Sequence, residues 1–198
     1  MKRFNPKFIK NAVLATAVFF IASGINHKLN AQTAYGVAPG SQITVTGTSN
    51  LHDWTMAATS FACDANLNVA GGQLKDVRSL NFVLPVKNLK SKEDLMDTRA
   101  HKALNADTYD KITFKVSDVT VVAAQKLVKV TGNLTLSGVT KAISLQANYT
   151  VAEDQSVLFK GSKSIKMSEF KIKPPTFMMG ALKVGDEVTI NMALKLKK

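Results

Sequence analysis

The sequence is poor in the residues that build most catalytic and metal sites. Its 198 residues include one cysteine, one tryptophan and three histidines. One cysteine cannot form an internal disulfide, and the chain has no C-x-x-C or H-x-x-x-H spacing that would hold zinc. It also lacks the G-x-S-x-G, P-loop and G-x-G-x-x-G motifs of hydrolases, nucleotide-binding proteins and dinucleotide-binding proteins. We therefore expect no cofactor, no bound metal and no enzymatic activity.

Long apolar runs are also scarce, and the longest lies near the N-terminus. Several basic residues among the first ten precede an uncharged, mostly apolar run over 12–25, and the small residue Ala31 follows. This order is typical of a secretory signal peptide. The run is shorter than the roughly 20 apolar residues of a membrane-spanning helix. We predict that residues 1–31 are a cleaved signal peptide rather than a retained anchor. The remaining chain would be periplasmic or secreted, with no stable membrane span.

The excess of basic residues does not indicate a nucleic-acid partner. The whole chain has 26 Lys or Arg against 14 Asp or Glu, a net charge of +12. Residues 1–31 contain five of the bases and none of the acids, so their removal leaves a net charge of +7. No basic helix or aromatic-basic motif accompanies this charge, so we expect no nucleic-acid binding. Residues 32–198 are long enough for a single domain with its own core and no disulfides.

The clearest pattern lies at 128–149 and predicts two paired strands. Apolar residues alternate with polar ones from Val128 to Leu136 and again from Ile143 to Tyr149. Successive strand side chains point to opposite faces, so each segment has one apolar face. Ser137-Gly138 interrupts the alternation with turn-forming residues. The segment predicts an antiparallel hairpin, which needs more strands to cover its apolar face.

Similar alternation predicts further strands and one helix. Phase changes after Val116 and after Met167 indicate bulges, which curl a sheet. The only convincing helix is SKEDLMDTRAHKAL (91–104), with a capping box opened by Ser91 and a modest apolar stripe that includes Leu95. We expect residues 32–40 to be a loose lead-in and 174–187 to be a loop. The further strands are predicted at 41–48, 61–69, 77–86, 111–122, 157–161, 164–173 and 188–196.

About eight strands with one apolar face each favour an all-β, antiparallel, eight-stranded barrel. Such strands become stable by closing into a barrel or by pairing with a second sheet, and long bulged strands favour closure. A barrel of this size is either filled by its own side chains or holds one small ligand, and the pattern leaves both open. Cys63 follows the same alternation and is expected to be buried. The residues expected to face the interior are Phe82, Leu84, Phe114, Leu134, Leu136, Ile143, Leu145, Ile190 and Met192.

Four segments, in order, resemble the YceI-like family of lipid-binding or polyisoprenoid-binding proteins. The most specific is GNLTLSGVTKAISLQA (132–147). GTSNLHDWT (47–55), SKEDLMDTRAHKALNADTYDKITF (91–114) and SIKMSEFKIK (164–173) are weaker singly. The resemblance covers roughly 41–197. It implies a lipocalin-like barrel with the helix near one mouth and an interior that holds an isoprenoid or fatty amphiphile.

Polar candidates for a ligand site have two interpretations each. His52 and Asp53 either shape a turn while Trp54 packs inward, or His52 lies at the barrel mouth and contacts a headgroup. Arg99 and His101 on the helix are either solvated or headgroup contacts.

Two apolar segments extend the set of residues predicted to line a tunnel. Phe177 and Met178 either cap the core or form a hydrophobic lip for an acyl or prenyl chain. Trp54 and Leu95 complete that set.

The resemblance and the pattern together predict an exported carrier of a long-chain amphiphile, of polyisoprenoid or fatty-acid type. The alternative is a packed-core stress-protection or interaction module with no lipid ligand. The sequence leaves the oligomeric state open between monomer and homodimer.

Overall fold

The computed structural model describes residues 33–198, so the predicted signal peptide lies outside the described residues. This part of the chain is a β-structure with one α-helix, α1 (Asp94–Ala103). Short 3-10 turns occupy Val86–Asn88, Ala123–Gln125, Met167–Phe170 and Met178–Gly180. The strands are β1 (Thr33–Val37), β2 (Gln42–Ser49), β3 (Trp54–Ala58), β4 (Ala62–Ala70), β5 (Gln73–Pro85), β6 (Leu89–Lys90), β7 (Lys111–Val122), β8 (Leu127–Leu136), β9 (Val139–Val151), β10 (Val157–Lys166), β11 (Thr176–Phe177) and β12 (Leu182–Lys197).

The strands pair into a closed ring. The order is β1-β4-β5-β7-β8-β9-β10-β12, and β12 pairs back with β1. Three further strands extend the sheet beside β12: β2 pairs with β12, β3 with β2, and β6 with β3. In the chain, β2 follows β1, β3 precedes β4, and β6 follows β5, so each continues one of the eight strands of the ring. Every pairing is antiparallel, so eight passages of chain close into a barrel. The predicted all-β, eight-stranded fold is confirmed.

The two ends of the barrel differ. One end carries α1, the turn at 137–138 and the segments 50–53 and 167–181, and we call it the mouth. The other end, which we call the base, carries the first residues of β1 and the last of β12. Among residues 33–198 no helix combines the length and the apolar character needed to cross a membrane.

The central hairpin is confirmed. β8 and β9 pair from Leu127 opposite Asn148 to Leu136 opposite Val139, and the turn between them is Ser137-Gly138. Both turn residues have positive φ, 46° and 77°. Two central residues with positive φ define the tight turn whose twist matches that of paired strands.

The predicted loose lead-in is wrong, because part of it forms β1. Tyr35 is 2% exposed, and its hydroxyl donates a hydrogen bond to the Gln155 carbonyl oxygen at 3.1 Å. Gly36 pairs with Lys197. The segment is ordered by distant parts of the chain, which local alternation does not reveal. β3 was missed for a similar reason, since it is short and pairs with β2 and β6.

Two other boundaries differ from the predictions. The strand predicted at 164–173 ends at Lys166, where the 3-10 turn Met167–Phe170 begins, so the phase change there is a turn rather than a bulge. The phase change after Val116 is a register shift between β7 and β8, as predicted. The predicted loop at 174–187 contains β11, which pairs with the start of β12.

The base of the barrel is packed by buried side chains. Cys63 belongs to this group, as predicted, and burial, followed by the negative charge of Asp64, raises the pKa of its thiol to about 12. A thiol with so high a pKa is a poor nucleophile at neutral pH. The other buried members are Tyr35, Ala65, Leu67, Leu74, Val77, Val128, Ala147, Tyr149, Val157, Phe159, Leu194 and Leu196.

A second apolar cluster closes the barrel wall near the mouth. Strand pairing between β9 and β10 stops at Ala147 opposite Gly161. Toward the mouth the two strands no longer pair with each other, although β9 still pairs with β8 and β10 with β12. Beyond β10, Phe170 and Ile172 are buried in a cluster that includes Val139 and Ile143 of β9. The 3-10 turn therefore acts as a plug against this part of the wall.

Replacing Phe170 with alanine tests this plug. Phe170 is fully buried, so we expect the free energy of unfolding to fall by about 3–5 kcal/mol, measured by urea denaturation. Glu169→Ala, at an exposed position of the same turn, is the control and should change stability by less than about 0.5 kcal/mol. A loss of under about 1 kcal/mol for Phe170→Ala would show that the plug is not part of the folded core.

Candidate functional site

The barrel encloses an apolar cavity of about 350 Å³. Ligand pockets generally have volumes of roughly 300–1,000 Å³, so the interior is hollow enough for a small molecule. The wall reaches from Val128 and Phe159, near the base, to Leu136 and Ile172, near the mouth. Among the described residues that line it, the polar side chains are Ser49, His52, Glu93, Arg99 and Lys163. The remainder of the wall is aliphatic, aromatic, methionine or proline.

Most of the residues predicted to face a tunnel lie on this wall. Leu95 and Met178 do not, and the prediction that they line the interior is wrong. Leu95 lies on the outer side of α1 and is 59% exposed, while Met178 lies in the turn beyond Phe177 and is 78% exposed. The predicted residues on the wall are Trp54, Phe82, Leu84, Phe114, Leu134, Leu136, Ile143, Leu145, Phe177, Ile190 and Met192.

Two aromatic rings lie flat on the wall because glycines face them. A Cβ atom on Gly47 would stand 2.3 Å from the Trp54 ring, and one on Gly132 would stand 2.5 Å from the Phe114 ring. Each ring therefore occupies the space that a side chain on the adjacent strand would take. The indole N–H of Trp54 donates to the Thr48 carbonyl oxygen at 3.1 Å, which fixes that ring. Rings laid along the wall leave the barrel axis open.

Helix α1 covers the mouth with one face. Met96, Ala100, Ala103 and Leu104 contribute to the cavity wall, whereas Leu95 points to solvent. Side chains at these spacings share one side of a helix. The ten-residue helix therefore turns its apolar side toward the cavity. The predicted position of the helix near a mouth agrees with the structure.

Asp97 fastens the helix to the barrel. Its Oδ1 accepts hydrogen bonds from the Ser91 main-chain N–H at 2.6 Å and from the Ser91 hydroxyl at 2.8 Å. Lys90 Nζ lies 3.4 Å from Oδ2. The predicted capping box is wrong in detail, because the helix begins after Glu93 and Ser91 instead accepts a hydrogen bond from the Glu93 N–H. Burial of Asp97 would raise its pKa, but the hydrogen bonds from Ser91 and the charge of Lys90 lower the pKa below its usual value.

His52 lies at the cavity margin and also shapes a turn. Its main-chain N–H donates to the Ser49 hydroxyl at 3.1 Å, and that hydroxyl donates to the His52 carbonyl oxygen at 2.8 Å. Its Nδ1 lies 2.7 Å from the main-chain oxygen of Asp53, not from the carboxylate. The two side chains do not form an orienting pair. The turn is thus as predicted, and the contact of His52 with a headgroup stays a prediction.

Arg99 and His101 of α1 differ in their surroundings. The Arg99 guanidinium carbon lies 4.0 Å from the centre of the Phe177 ring, and both residues line the cavity at the mouth. This contact joins α1 to the β11–β12 hairpin across the opening. His101 does not line the cavity, and its Nε2 lies 2.9 Å from the Leu89 carbonyl oxygen. The structure therefore brings Arg99 to the cavity but not His101, whose ring is held against β6.

Lys163 is a charged residue of the wall that was missed from the sequence, as were Glu93 and several apolar residues. It occupies the inward-facing register of β10, with Val157, Phe159 and Ile165, and is less exposed than its neighbours Ser162 and Ser164. The signal was present in this alternation, but the strand was predicted as two pieces that omit residues 162 and 163. Within the described part of the chain, no group of three or more acidic, His or Cys side chains could hold a metal ion.

The model of the YceI-like domain matches residues 35–196. The chain belongs to the YceI-like family. None of the curated proteins matches it significantly. The match spans all eight passages of the barrel together with α1.

Solved structures share the fold of this YceI-like domain at low sequence identity. BcnA of Burkholderia cenocepacia is 18% identical with a TM-score of 0.66, covering 78% of this chain and 95% of that one. A polyisoprenoid binding domain from Saccharophagus degradans, implicated in plant cell wall breakdown, is 17% identical with a TM-score of 0.64, covering 84% and 99%. A Campylobacter jejuni YCEI protein is 20% identical with a TM-score of 0.55, covering 69% and 81%.

The anchor of α1 gives a pH-dependent prediction. Asp97→Ala removes hydrogen bonds to a buried carboxylate, so we expect a loss of about 1.5–3 kcal/mol in the free energy of unfolding at pH 7. The folded-state pKa of Asp97 lies below its usual value of about 3.9. Its contribution is therefore present above about pH 4 and is lost as the pH falls through the folded-state pKa.

Urea denaturation of the wild type and the variant at several pH values checks this. The stability difference should be largest at pH 5–7 and should narrow at pH values below about 4. Asp94→Ala, at an exposed position on the same helix, is the control. A difference that stays constant down to pH 2 would contradict the assignment of the stabilisation to the Asp97 carboxylate.

Proposed function

We propose that the protein is an exported carrier that holds a long-chain amphiphile, of polyisoprenoid or fatty-acid type, in the barrel cavity. The observation that carries this proposal is the 350 Å³ apolar hollow at the centre of the barrel. Each CH₂ group removed from water contributes about 0.8 kcal/mol, so a chain of a dozen carbons can bind tightly without covalent chemistry. The Saccharophagus degradans relative, described as a polyisoprenoid binding domain, supports the same class of ligand.

The cavity and its lining argue against two other functions, a packed-core module and a lipid hydrolase. A packed-core stress-protection or interaction module would gain stability by filling its interior, since an unfilled cavity weakens a fold. A lipid hydrolase would need a nucleophile with an adjacent base near the cavity. The cavity wall offers Ser49 and His52, but the Ser49 hydroxyl is engaged with the His52 main chain rather than its ring. We therefore propose binding without turnover.

The ligand would reach the cavity through the mouth. Arg99 on α1 and Phe177 on β11 meet across the opening, and a cation–π contact of this kind contributes about 0.5–2 kcal/mol. Such a contact can be broken and remade quickly, whereas separating paired strands of the barrel would cost much more. α1 and the β11–β12 hairpin are thus the proposed gate.

A larger side chain in the cavity should compete with the ligand. Leu145 is half-buried on the wall, while its neighbour Gln146 is exposed on the outside of β9. We expect Leu145→Trp to weaken binding of cis-parinaric acid by at least about tenfold, because the indole ring would occupy part of the hollow. Titration of the fluorescence that this probe gains in an apolar site measures the affinity.

The matched control is Gln146→Trp, which adds the same ring outside the barrel. It should leave the affinity within about twofold of the wild type. Circular dichroism and thermal unfolding establish that both variants are folded. Equal affinities for the two variants would place the ligand outside the barrel and would falsify the carrier proposal in this form.

The proposed gate predicts a kinetic effect. Phe177→Ala removes the ring under Arg99, so we expect the dissociation rate of cis-parinaric acid to rise about two- to thirtyfold in stopped-flow experiments. Met178→Ala, at the exposed neighbouring position, should leave the rate unchanged. Equal rates for Phe177→Ala and the wild type would mean that the ligand leaves by another route.

A further inference from the structure

Lys163 brings a positive charge to a part of the cavity wall where its neighbours are apolar. In the pairing register it lies opposite Ile190 of β12, which in turn lies opposite Val45 of β2. Ile190 and Val45 both line the cavity. Lys163 is thus part of the middle of the wall rather than the rim. No ion pair or side-chain hydrogen bond engages its ammonium group within residues 33–198.

The pairing of β9 with β10 ends beside this lysine. β9 and β10 pair as far as Ala147 opposite Gly161, and Lys163 is two residues beyond the last pair. A Cβ atom on Gly161 would stand 2.5 Å from the Gln146 carbonyl oxygen, so the two strands are in close contact immediately before they part. Extending the same register would place Lys163 opposite Leu145, which also lines the cavity.

The charges at the mouth make it a weaker place for an anion. Arg99 lies against the Phe177 ring, and Glu93, at the start of the same helix, also lines the cavity. A carboxylate that lines the same mouth offsets part of the attraction of that mouth for an anion. Among the described lining residues, Glu93 is the acidic one, and it belongs to the mouth rather than to the wall around Lys163.

We propose that Lys163 anchors an anionic headgroup, so that the amphiphile carried in this barrel ends in a carboxylate or a phosphate. This inference rests on the proposed carrier function and adds the chemistry of the headgroup and its position. The ammonium group donates charge-assisted hydrogen bonds to the anionic oxygens, and the apolar wall excludes the water that would otherwise compete. A neutral chain of the same length lacks these bonds and binds less tightly.

Trp54 offers a direct measurement of occupancy. It is the one tryptophan of the chain, and it lines the cavity. A bromine atom at the end of a bound chain quenches tryptophan fluorescence on close approach. Three probes of equal chain length therefore separate the headgroups: 12-bromododecanoate, 12-bromododecyl phosphate and 12-bromododecanol.

The test compares Lys163→Met with Lys160→Met. Both variants remove one lysine from β10, but Lys160 is exposed on the outer face, so the change in net charge is matched. We expect the wild type and Lys160→Met to bind an acidic probe at least about tenfold more tightly than the alcohol. Lys163→Met should lose that preference and keep its affinity for the alcohol. Whichever acid binds more tightly identifies the headgroup as carboxylate or phosphate.

The other possible results separate the role of Lys163 from the carrier function. If all three proteins bind the acids and the alcohol equally, the carrier function stands and the role of Lys163 is refuted, its ammonium group being simply extended to solvent. If Arg99→Gln abolishes the preference and Lys163→Met does not, the headgroup lies at the mouth and the inference is wrong. If no probe quenches Trp54 in the wild type, the carrier proposal and this inference both fail. Thermal unfolding of Lys163→Met, expected to match or exceed the wild type, verifies that the variant is folded.

Discussion

The closure of the strand ring on β12 is the constraint on which the rest of the structure depends. β12 pairs with β10 along one edge, and with β2 and then β1 along the other. A sheet with one apolar face exposes that face and two edges unless it closes. Once β12 joins both sides of the sheet, every strand in the ring directs its alternate side chains inward. The interior is then defined by the size of the ring rather than by the volume of the side chains.

Side chains and α1 fill the two ends of the barrel but not its middle, and the cavity lies between these ends. The base is packed by large buried side chains from β4, β5, β8, β10 and β12, and α1 lies across the mouth. Between the two ends, Gly47 and Gly132 have no side chain, and the Trp54 and Phe114 rings occupy that space along the wall. The packed side chains at the two ends contribute to the folding free energy without filling the central hollow, which remains available for a ligand.

Features that depend on neighbouring residues could be predicted from the sequence, whereas features that depend on contacts distant in the chain could not. The alternation from Val128 to Tyr149 depends only on neighbouring residues, because it shows which side chains lie on each face of a strand. The hairpin was therefore predicted correctly. β1 depends on the contact of Tyr35 with Gln155 and on the pairing of Gly36 with Lys197, both distant in sequence, and no local pattern marks them. The tunnel wall was predicted well for strand residues, because a strand has two faces. It was predicted poorly for Leu95 and Met178, because a single helix or turn residue has no such alternation to orient it.

The central claim is that the hollow interior carries a hydrocarbon chain, and native mass spectrometry of protein purified from its own host tests it most directly. We expect a species heavier than the bare chain by the mass of one amphiphile, and the same compound in an organic extract of the sample. A protein that carries no bound compound and also fails to take up long-chain probes would show that the barrel is not a carrier.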